Sequence, residues 1–217
     1  MASALRKSKT SKRKKPDLLF FERKLKKKGF DLIIGVDEAG RGPLAGPVVA
    51  AAVALKSSNF VNRIDDSKKL TPKLREKALL EINAKSISGI SIVSHKVIDR
   101  INILEATKLA MRSAVLSLIK KIKDLESLRI HVIVDGNFIP DLGLPCTAII
   151  KGDAKSMSIA CASILAKVTR DRIMEDFDSI YPQYGFAKHK GYPTKAHREV
   201  LRRIGPSVIH RKSFHYV

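Results

Sequence analysis

The sequence predicts an α/β fold: a mixed β-sheet flanked by helices, with a helical segment at the C-terminal end. Three observations predict it. Five short apolar runs of strand length recur along the chain, and stretches with helical spacing of apolar residues lie between them. Their order, β-β-(α)-β-α-β-β-α, is that of one mixed sheet with helices on its faces. The length is also sufficient, because a 217-residue chain buries roughly 70% of its unfolded surface. At 44% hydrophobic and 29% charged, the composition is ordinary for such a domain.

Residues 1–16 are too polar to pack and are expected to form a disordered basic arm, leaving 17–217 as a single domain. Asp17 to Lys28 reads as a short helix with Leu18, Leu19, Phe21 and Leu25 on its apolar face. Leu32–Val36, set between Gly29 and a Gly-rich stretch, reads as a buried strand. Val48–Leu55 is a second strand, entered through Gly46-Pro47. A helix begins near Thr71-Pro72, with Thr as cap and Pro in the first turn. Ile87–His95 is a third strand. Leu104–Ile122 places Leu104, Leu109, Met111, Val115, Leu116, Leu118, Ile119 and Ile122 at the spacing of a long amphipathic helix. Ile130–Val134 and Thr147–Ile150 are two further strands. Ser156–Phe177 is a helix rich in small residues, suited to close packing; a Gly/Pro/Tyr loop, Tyr181–Tyr192, and a last helix, Ala196–Arg203, follow. No internal repeat is apparent.

Charge narrows the partners. Lys and Arg number 42 against 21 Asp and Glu, a formal net charge of +21. Residues 1–28 hold twelve basic side chains against Asp17 and Glu22, about half of the excess, so the rest of the chain is strongly basic too. Such a field attracts polyanions and gains from counterion release on nucleic acid. No apolar run reaches the roughly 18 residues of a spanning helix, so a membrane is not expected. Cys146 and Cys161 lack the spacing of a zinc site or a disulfide scaffold, which fits a reduced, cytoplasmic setting. The basic N-terminus lacks the apolar stretch of a signal peptide, although its Lys- and Ser-rich, acid-poor start leaves a transit peptide open.

Acids are scarce, so their positions carry weight. Asp37-Glu38 follows the first predicted strand, Asp135 the fourth, and Asp153 the fifth by three residues. Three strands thus deliver carboxylates at their C-terminal ends, the edge where α/β sheets place ligands. Carboxylates gathered together repel unless a cation holds them, and all-oxygen donors select Mg²⁺ or Mn²⁺. Two such ions roughly 3.5–4 Å apart serve in-line attack on a phosphodiester, one activating water and the other stabilising the leaving oxygen. Taken singly, Asp135-Gly136 could be a tight turn and Asp153 a helix cap; together the acids argue for a site. Gly40-Arg41-Gly42-Pro43 follows at once, and glycine lets backbone approach a ligand such as a ribose 2′-OH. Ser163, Lys167 and Arg170 share one helix face at i, i+4, i+7, a set that suits phosphate oxygens, and Lys68 could act likewise from its loop. Lys167 with Asp171 could instead be a plain i,i+4 pair. His131 reads as structural, whereas His189, His197, His210 and His215 read as solvated or phosphate-facing.

The stretch Gly35-Val36-Asp37-Glu38-Ala39-Gly40-Arg41-Gly42-Pro43-Leu44-Ala45-Gly46-Pro47-Val48-Val49-Ala50 resembles the signature of bacterial ribonuclease HII, a type 2 ribonuclease H. So do Asp66-Ser67-Lys68-Lys69-Leu70, Val134-Asp135-Gly136, Lys151-Gly152-Asp153, Ala162–Asp171, Tyr184-Gly185-Phe186, His189–Thr194 and His210–Phe214. The resemblance implies a ribonuclease H-like catalytic domain with a four-carboxylate site of Asp37, Glu38, Asp135 and Asp153 holding two divalent ions. It implies that the Gly40-Arg41-Gly42 backbone reads the 2′-OH while Tyr192 stacks on the sugar of the following deoxynucleotide. Substrate contacts are then expected from Gly40, Arg41, Gly42, Lys68, Ser163, Lys167, Arg170 and Tyr192. Partners would be RNA–DNA hybrids and ribonucleotide-containing duplex DNA, met by a monomer. Cleavage 5′ of a ribonucleotide would leave 3′-hydroxyl and 5′-phosphate ends, in DNA replication and repair. Arg41 and the short arm favour type HII over the similar type HIII. Two competitors remain: a non-catalytic nucleic-acid binder, which would have lost a strand-end acid, and a nuclease of the same fold acting on DNA alone.

Overall fold

The computed structural model describes residues 17–216; the expected basic arm lies outside the described residues. Five strands, β1 (Leu32–Ala39), β2 (Val48–Leu55), β3 (Ser86–Val93), β4 (Ile130–Asp135) and β5 (Cys146–Ile149), form one sheet in the order β3-β2-β1-β4-β5. β1 pairs antiparallel with β2, and β2 with β3, whereas β1–β4 and β4–β5 are parallel, so the sheet is mixed as expected. Among the described residues there are six α-helices: α1 (Phe20–Lys27), α2 (Pro72–Lys85), α3 (His95–Ile119), α4 (Met157–Ile180), α5 (Phe186–His189) and α6 (Lys195–Ile204). No helix among the described residues is long and apolar enough to cross a membrane.

Several element boundaries differ from expectation by up to three residues, and a short helix, α5, lies within the expected Tyr181–Tyr192 loop; the shifts at β1 and between β3 and α3 have clear physical reasons. β1 runs three residues beyond Val36, because its ladder with β2 continues to the Ala39–Val49 pair; Asp37 and Glu38 therefore lie inside the strand rather than after it. The third strand ends at Val93, and the chain turns at Ser94 into a helical segment starting at His95. That segment breaks at Asn102, whose φ is +65°. The Asn102 side chain accepts hydrogen bonds from Leu104 N and Glu105 N, which caps the amphipathic helix expected from Leu104.

Strand alternation decides which face each acid occupies. Ile34 and Val36 of β1, with Val132 and Val134 of β4, pack under α3 against Ala106, Ala110, Met111, Ala114 and Leu118. Ile33 and Ile133 point to the other face, toward Ile159 of α4. By the two-residue period, Asp37 and Asp135 share that α4 face and Glu38 takes the opposite one. α4 can lie close because Gly35 presents no side chain; a Cβ there would fall 2.3 Å from the Ser158 carbonyl carbon. A separate cluster of Leu44, Ala45, Met174, Tyr184, Phe186, Leu201 and Ile209 joins the C-terminal segment to the 40–47 loop.

α1 is fastened by a contact that its apolar face does not foretell. Buried Glu22 accepts from Ser156 Oγ, Ser158 N and Ser158 Oγ at 2.6–2.9 Å, placing a carboxylate at the N-terminus of α4. The helix dipole favours a negative group there.

Candidate active site

The parallel register Val36↔Val134 sets Asp37 and Asp135 side by side at the ends of β1 and β4. Asp135 Oδ1 accepts from Gly152 N at 2.6 Å, which draws the short turn Gly152–Ala154 against the strand end and brings Asp153 in. Asp37, Asp135 and Asp153 each offer a carboxylate oxygen within 4.8 Å of the others. Asp37 and Asp153 are buried. Burial, then the charges of Glu38 and Asp135, holds Asp37 well above the ordinary carboxylate range. Burial and the charges of Asp135 and Asp66 raise Asp153 as well. Glu38 stands apart from the trio, pairing loosely with Arg41 at 3.6 Å, and burial raises it against the pull of Arg41. This is an oxygen-rich nest whose charges oppose one another, the condition under which a cation binds strongly.

A cleft of about 470 Å³ opens onto Asp37, Glu38 and Asp135 and is further lined by Gly40, Arg41, Gly42, Ser67, Lys68, Ser163, Lys167 and Tyr192; Asp153 joins the carboxylate trio without lining the cleft. Nearly all of the residues expected at the site thus face one space. The Arg41 guanidinium lies 5.5 Å from the centre of the Phe138 ring. Tyr192 is 39% exposed, and its Cε1 lies 3.7 Å from where a Cβ on Gly42 would stand, so ring and glycine backbone face each other across the cleft. Burial pulls Lys68 down, yet Asp66, Asp153 and Asp37 outweigh it and keep the ammonium firmly charged. Ser163 Oγ donates to Ser67 Oγ at 3.0 Å.

Two expectations need correction. Arg170 does not face the cleft: it is 1% exposed, and its guanidinium donates to the carbonyls of Ala45, Pro47 and Lys190 at 2.9–3.0 Å. It cannot also reach a phosphate, although Ser163 and Lys167 of the same face do line the cleft. Lys167 is shared, since its Nζ lies 2.7 Å from Asp171. His197 and His210 are buried rather than solvated, with their Nε2 atoms 3.0 Å apart. His197 Nδ1 donates to the Tyr192 carbonyl, and His210 Nδ1 accepts from Ser207 N. His210 must then donate through Nε2 to His197, and both rings are neutral. Burial, with the His189 ring beside His197 and the His197 ring beside His210, drops each to about 4. His131 is structural as expected, bonded to Thr147 Oγ1 at 2.9 Å.

Residues that local reading missed are Ser67, Phe138 and Arg211. Arg211 is fully buried and donates to the carbonyls of Gly40, Arg41, Gly46 and Pro47. Only its place in the His210–Phe214 motif hinted at a role.

The mixed sheet and its edge of acids define the class, a ribonuclease H-like hydrolase. A family model described as ribonuclease HII matches residues 34–217. The ribonuclease HII of Caldicellulosiruptor saccharolyticus is 55% identical over 194 residues, spanning 89% of this chain and 91% of that protein. Among solved structures, the ribonuclease H2 of Pyrococcus horikoshii superposes with a TM-score of 0.66 at 29% identity, covering 85% of this chain and 94% of that one. A chain in the complex of PCNA with ribonuclease HII from Archaeoglobus fulgidus gives 0.69 at 27% identity, covering 85% and 95%. The chain belongs to the ribonuclease HII family, which supports endonucleolytic activity on the RNA of RNA–DNA hybrids.

Proposed function

We propose that this protein hydrolyses the RNA strand of RNA–DNA hybrids and nicks duplex DNA 5′ of embedded ribonucleotides, leaving 3′-hydroxyl and 5′-phosphate ends. The observation that carries the reading is the single cleft in which converging carboxylates, cations and the Gly40-Arg41-Gly42 backbone meet opposite Tyr192. The acids fit hard divalent ions: their donors are all oxygen, they lie close together, and among the described residues none of Asp37, Asp135 and Asp153 forms an ion pair. Asp37, Glu38, Asp135 and Asp153 would hold two Mg²⁺ or Mn²⁺. When bound, such ions supply Lewis-acid stabilisation of the attacking and leaving oxygens of a phosphodiester.

The protein's own groups do the selecting. Lys68 and Lys167, which both line the cleft, would offer ammonium groups to phosphate oxygens of the substrate. The Gly40–Gly42 backbone approaches the sugar closely enough to hydrogen-bond a 2′-OH, the group that separates RNA from DNA. Tyr192 offers its ring to the sugar of the next, deoxy, residue, so loop and ring together read an RNA-to-DNA junction. The reading is of a cytoplasmic monomer acting in replication and repair, consistent with two free cysteines.

The test is cleavage of two otherwise identical duplexes, one all DNA and one with a single ribonucleotide, in Mg²⁺ and in Mn²⁺. Cutting is expected only at the ribonucleotide, on its 5′ side. Equal cutting of both duplexes would mark a DNA nuclease, and cutting of neither, together with inert RNA–DNA hybrid, a binder.

A further inference from the structure

Arg170 and Arg211 are cations buried where no anion answers them. Each is at most 1% exposed, and among the described residues neither forms an ion pair. Together they make seven hydrogen bonds to six backbone carbonyls, five of them within residues 40–47 and the sixth on Lys190, two residues before Tyr192. Burying an unpaired charge is expensive unless its donors are satisfied, and here every donor nitrogen is used, all but Arg170 Nη1 on one loop. A guanidinium suits this task because its donors stand in a rigid planar fork; an ammonium would engage carbonyls as a single point. The same loop would otherwise be loose, since Gly40 and Gly46 both have positive φ.

The anchoring continues outward. Arg211 sits in a segment held to α3 by Asp99, which accepts from Lys212 N, Ser213 N and Ser213 Oγ at 2.7–3.0 Å. Next to it in sequence, His210 reaches the Tyr192 carbonyl through His197. Both halves of the junction reader, the glycine loop and Tyr192, are therefore tied to the same C-terminal segment and to α4. Neither arginine lines the cleft, but the Arg170 guanidinium lies 5.9 Å from the centre of the Tyr192 ring, so what the pair contributes passes through the backbone they hold and through that ring.

We propose that Arg170 and Arg211 are positioning residues for substrate selection: they set the spacing between the Gly40–Gly42 backbone and Tyr192, and so decide where on a mixed strand the enzyme cuts. The proposal rests on the junction-reading function above, and the experiment separates the two. The substrate is a duplex with a short run of ribonucleotides flanked by DNA in one strand, and the readout is the distribution of cut sites in Mg²⁺. The wild-type enzyme should cut mainly at the ribonucleotide next to DNA. Arg211→Lys and Arg170→Lys should spread cutting along the run, lowering the junction preference about tenfold, the worth of one well-placed hydrogen bond to substrate. A merely structural role predicts a lower melting temperature and less total cutting with the pattern unchanged, which would overturn the proposal. If either lysine variant fails to fold, Asp99→Asn weakens the hold on the Lys212–Ser213 backbone that follows Arg211 and should shift the pattern in the same direction; an unshifted pattern in folded Asp99→Asn would count against the proposal. Absence of junction preference in the wild-type enzyme would instead sink the junction-reading function itself.

Discussion

Gly40 and Gly42 are two residues apart in one loop, yet alanine at each should fail in a different way. Gly40 has φ +102°, and a Cβ there would fall 2.1 Å from Arg170 Nε, 2.5 Å from its Cδ and 2.7 Å from the Pro47 carbonyl oxygen. The Arg170 side chain cannot swing aside without giving up three carbonyl partners. The backbone conformation alone costs about 1–3 kcal/mol for a non-glycine residue, and forcing an atom into packed surroundings costs a similar amount, about 1–3 kcal/mol. At about 2–4 °C per kcal/mol for a domain of this size, Gly40→Ala should melt roughly 10 °C below the wild type. Gly42 has no positive φ, and its Cβ would meet only Tyr192 Cε1 at 3.7 Å, an ordinary contact. Gly42→Ala should therefore melt within about 2 °C of the wild type, as exposed substitutions do, while filling the gap where a sugar would pass. Thermal melts and cleavage of a single-ribonucleotide duplex, run on both variants, check the pair. A Gly40→Ala protein as stable as the wild type would refute the over-determined loop, and a Gly42→Ala protein cutting at full rate would refute the placement of substrate between that backbone and Tyr192.

The other predictions are more direct. Asp37→Asn or Asp135→Asn should lower hybrid cleavage by at least about a hundredfold, given the several kcal/mol that metal ions contribute to such transition states, with hybrid binding in gel-shift largely intact; cleavage at the normal rate with Mg²⁺ would overturn the site. His197 and His210, depressed to about 4 in the folded chain, take up protons more readily when unfolded. Their contribution is whole above the ordinary histidine value and is lost between about pH 6.5 and 4, on the order of 3 kcal/mol for one ring. Urea midpoints at pH 7 and 4.5 should differ less in His197→Gln than in the wild type, and equal differences would show that these rings are not linked to acid unfolding. Deleting residues 1–16, which carry seven basic side chains, should weaken hybrid binding and flatten its dependence on salt without abolishing cleavage; an unaltered salt slope would mark the arm as irrelevant to binding.

What was legible in the sequence was what period and adjacency encode. The apolar run of β2 ends where its ladder ends, because every residue from Val48 to Ala54 is buried and none interrupts the pattern. The three aspartates could be placed at one sheet edge from their position after apolar runs alone, since parallel neighbours put strand ends together. The side on which Glu38 falls was less visible: taking β1 to stop at Val36 left Asp37 and Glu38 as equals. Once the ladder extends to Ala39, alternation sends Asp37 to the α4 face and Glu38 away from it, toward Arg41.

Arg170 shows where such reading stops. Spacing i, i+4, i+7 establishes that Ser163, Lys167 and Arg170 share a stripe of α4, but a stripe 24 residues long crosses from the open cleft to covered ground. Ser163 and Lys167 meet the cleft, while Arg170, a turn further on, is roofed by Ala45, Pro47 and Lys190. A cation in a basic protein defaults to solvent or phosphate in any reading by composition. Overriding that default requires knowing that unpaired carbonyls lie opposite, and two of those three carbonyls belong to a glycine loop more than 120 residues earlier in the chain. Arg211 shares this property, and Glu22 does through Oε1: each is polar, buried, and met by groups that approach only after the fold has closed. The acids that would hold metal could thus be found from local pattern, whereas the groups that hold the substrate-reading loop could not. The division has a chemical reason, because metal ligands must be a few specific side chains, while a loop's backbone can be held by any donor that reaches it.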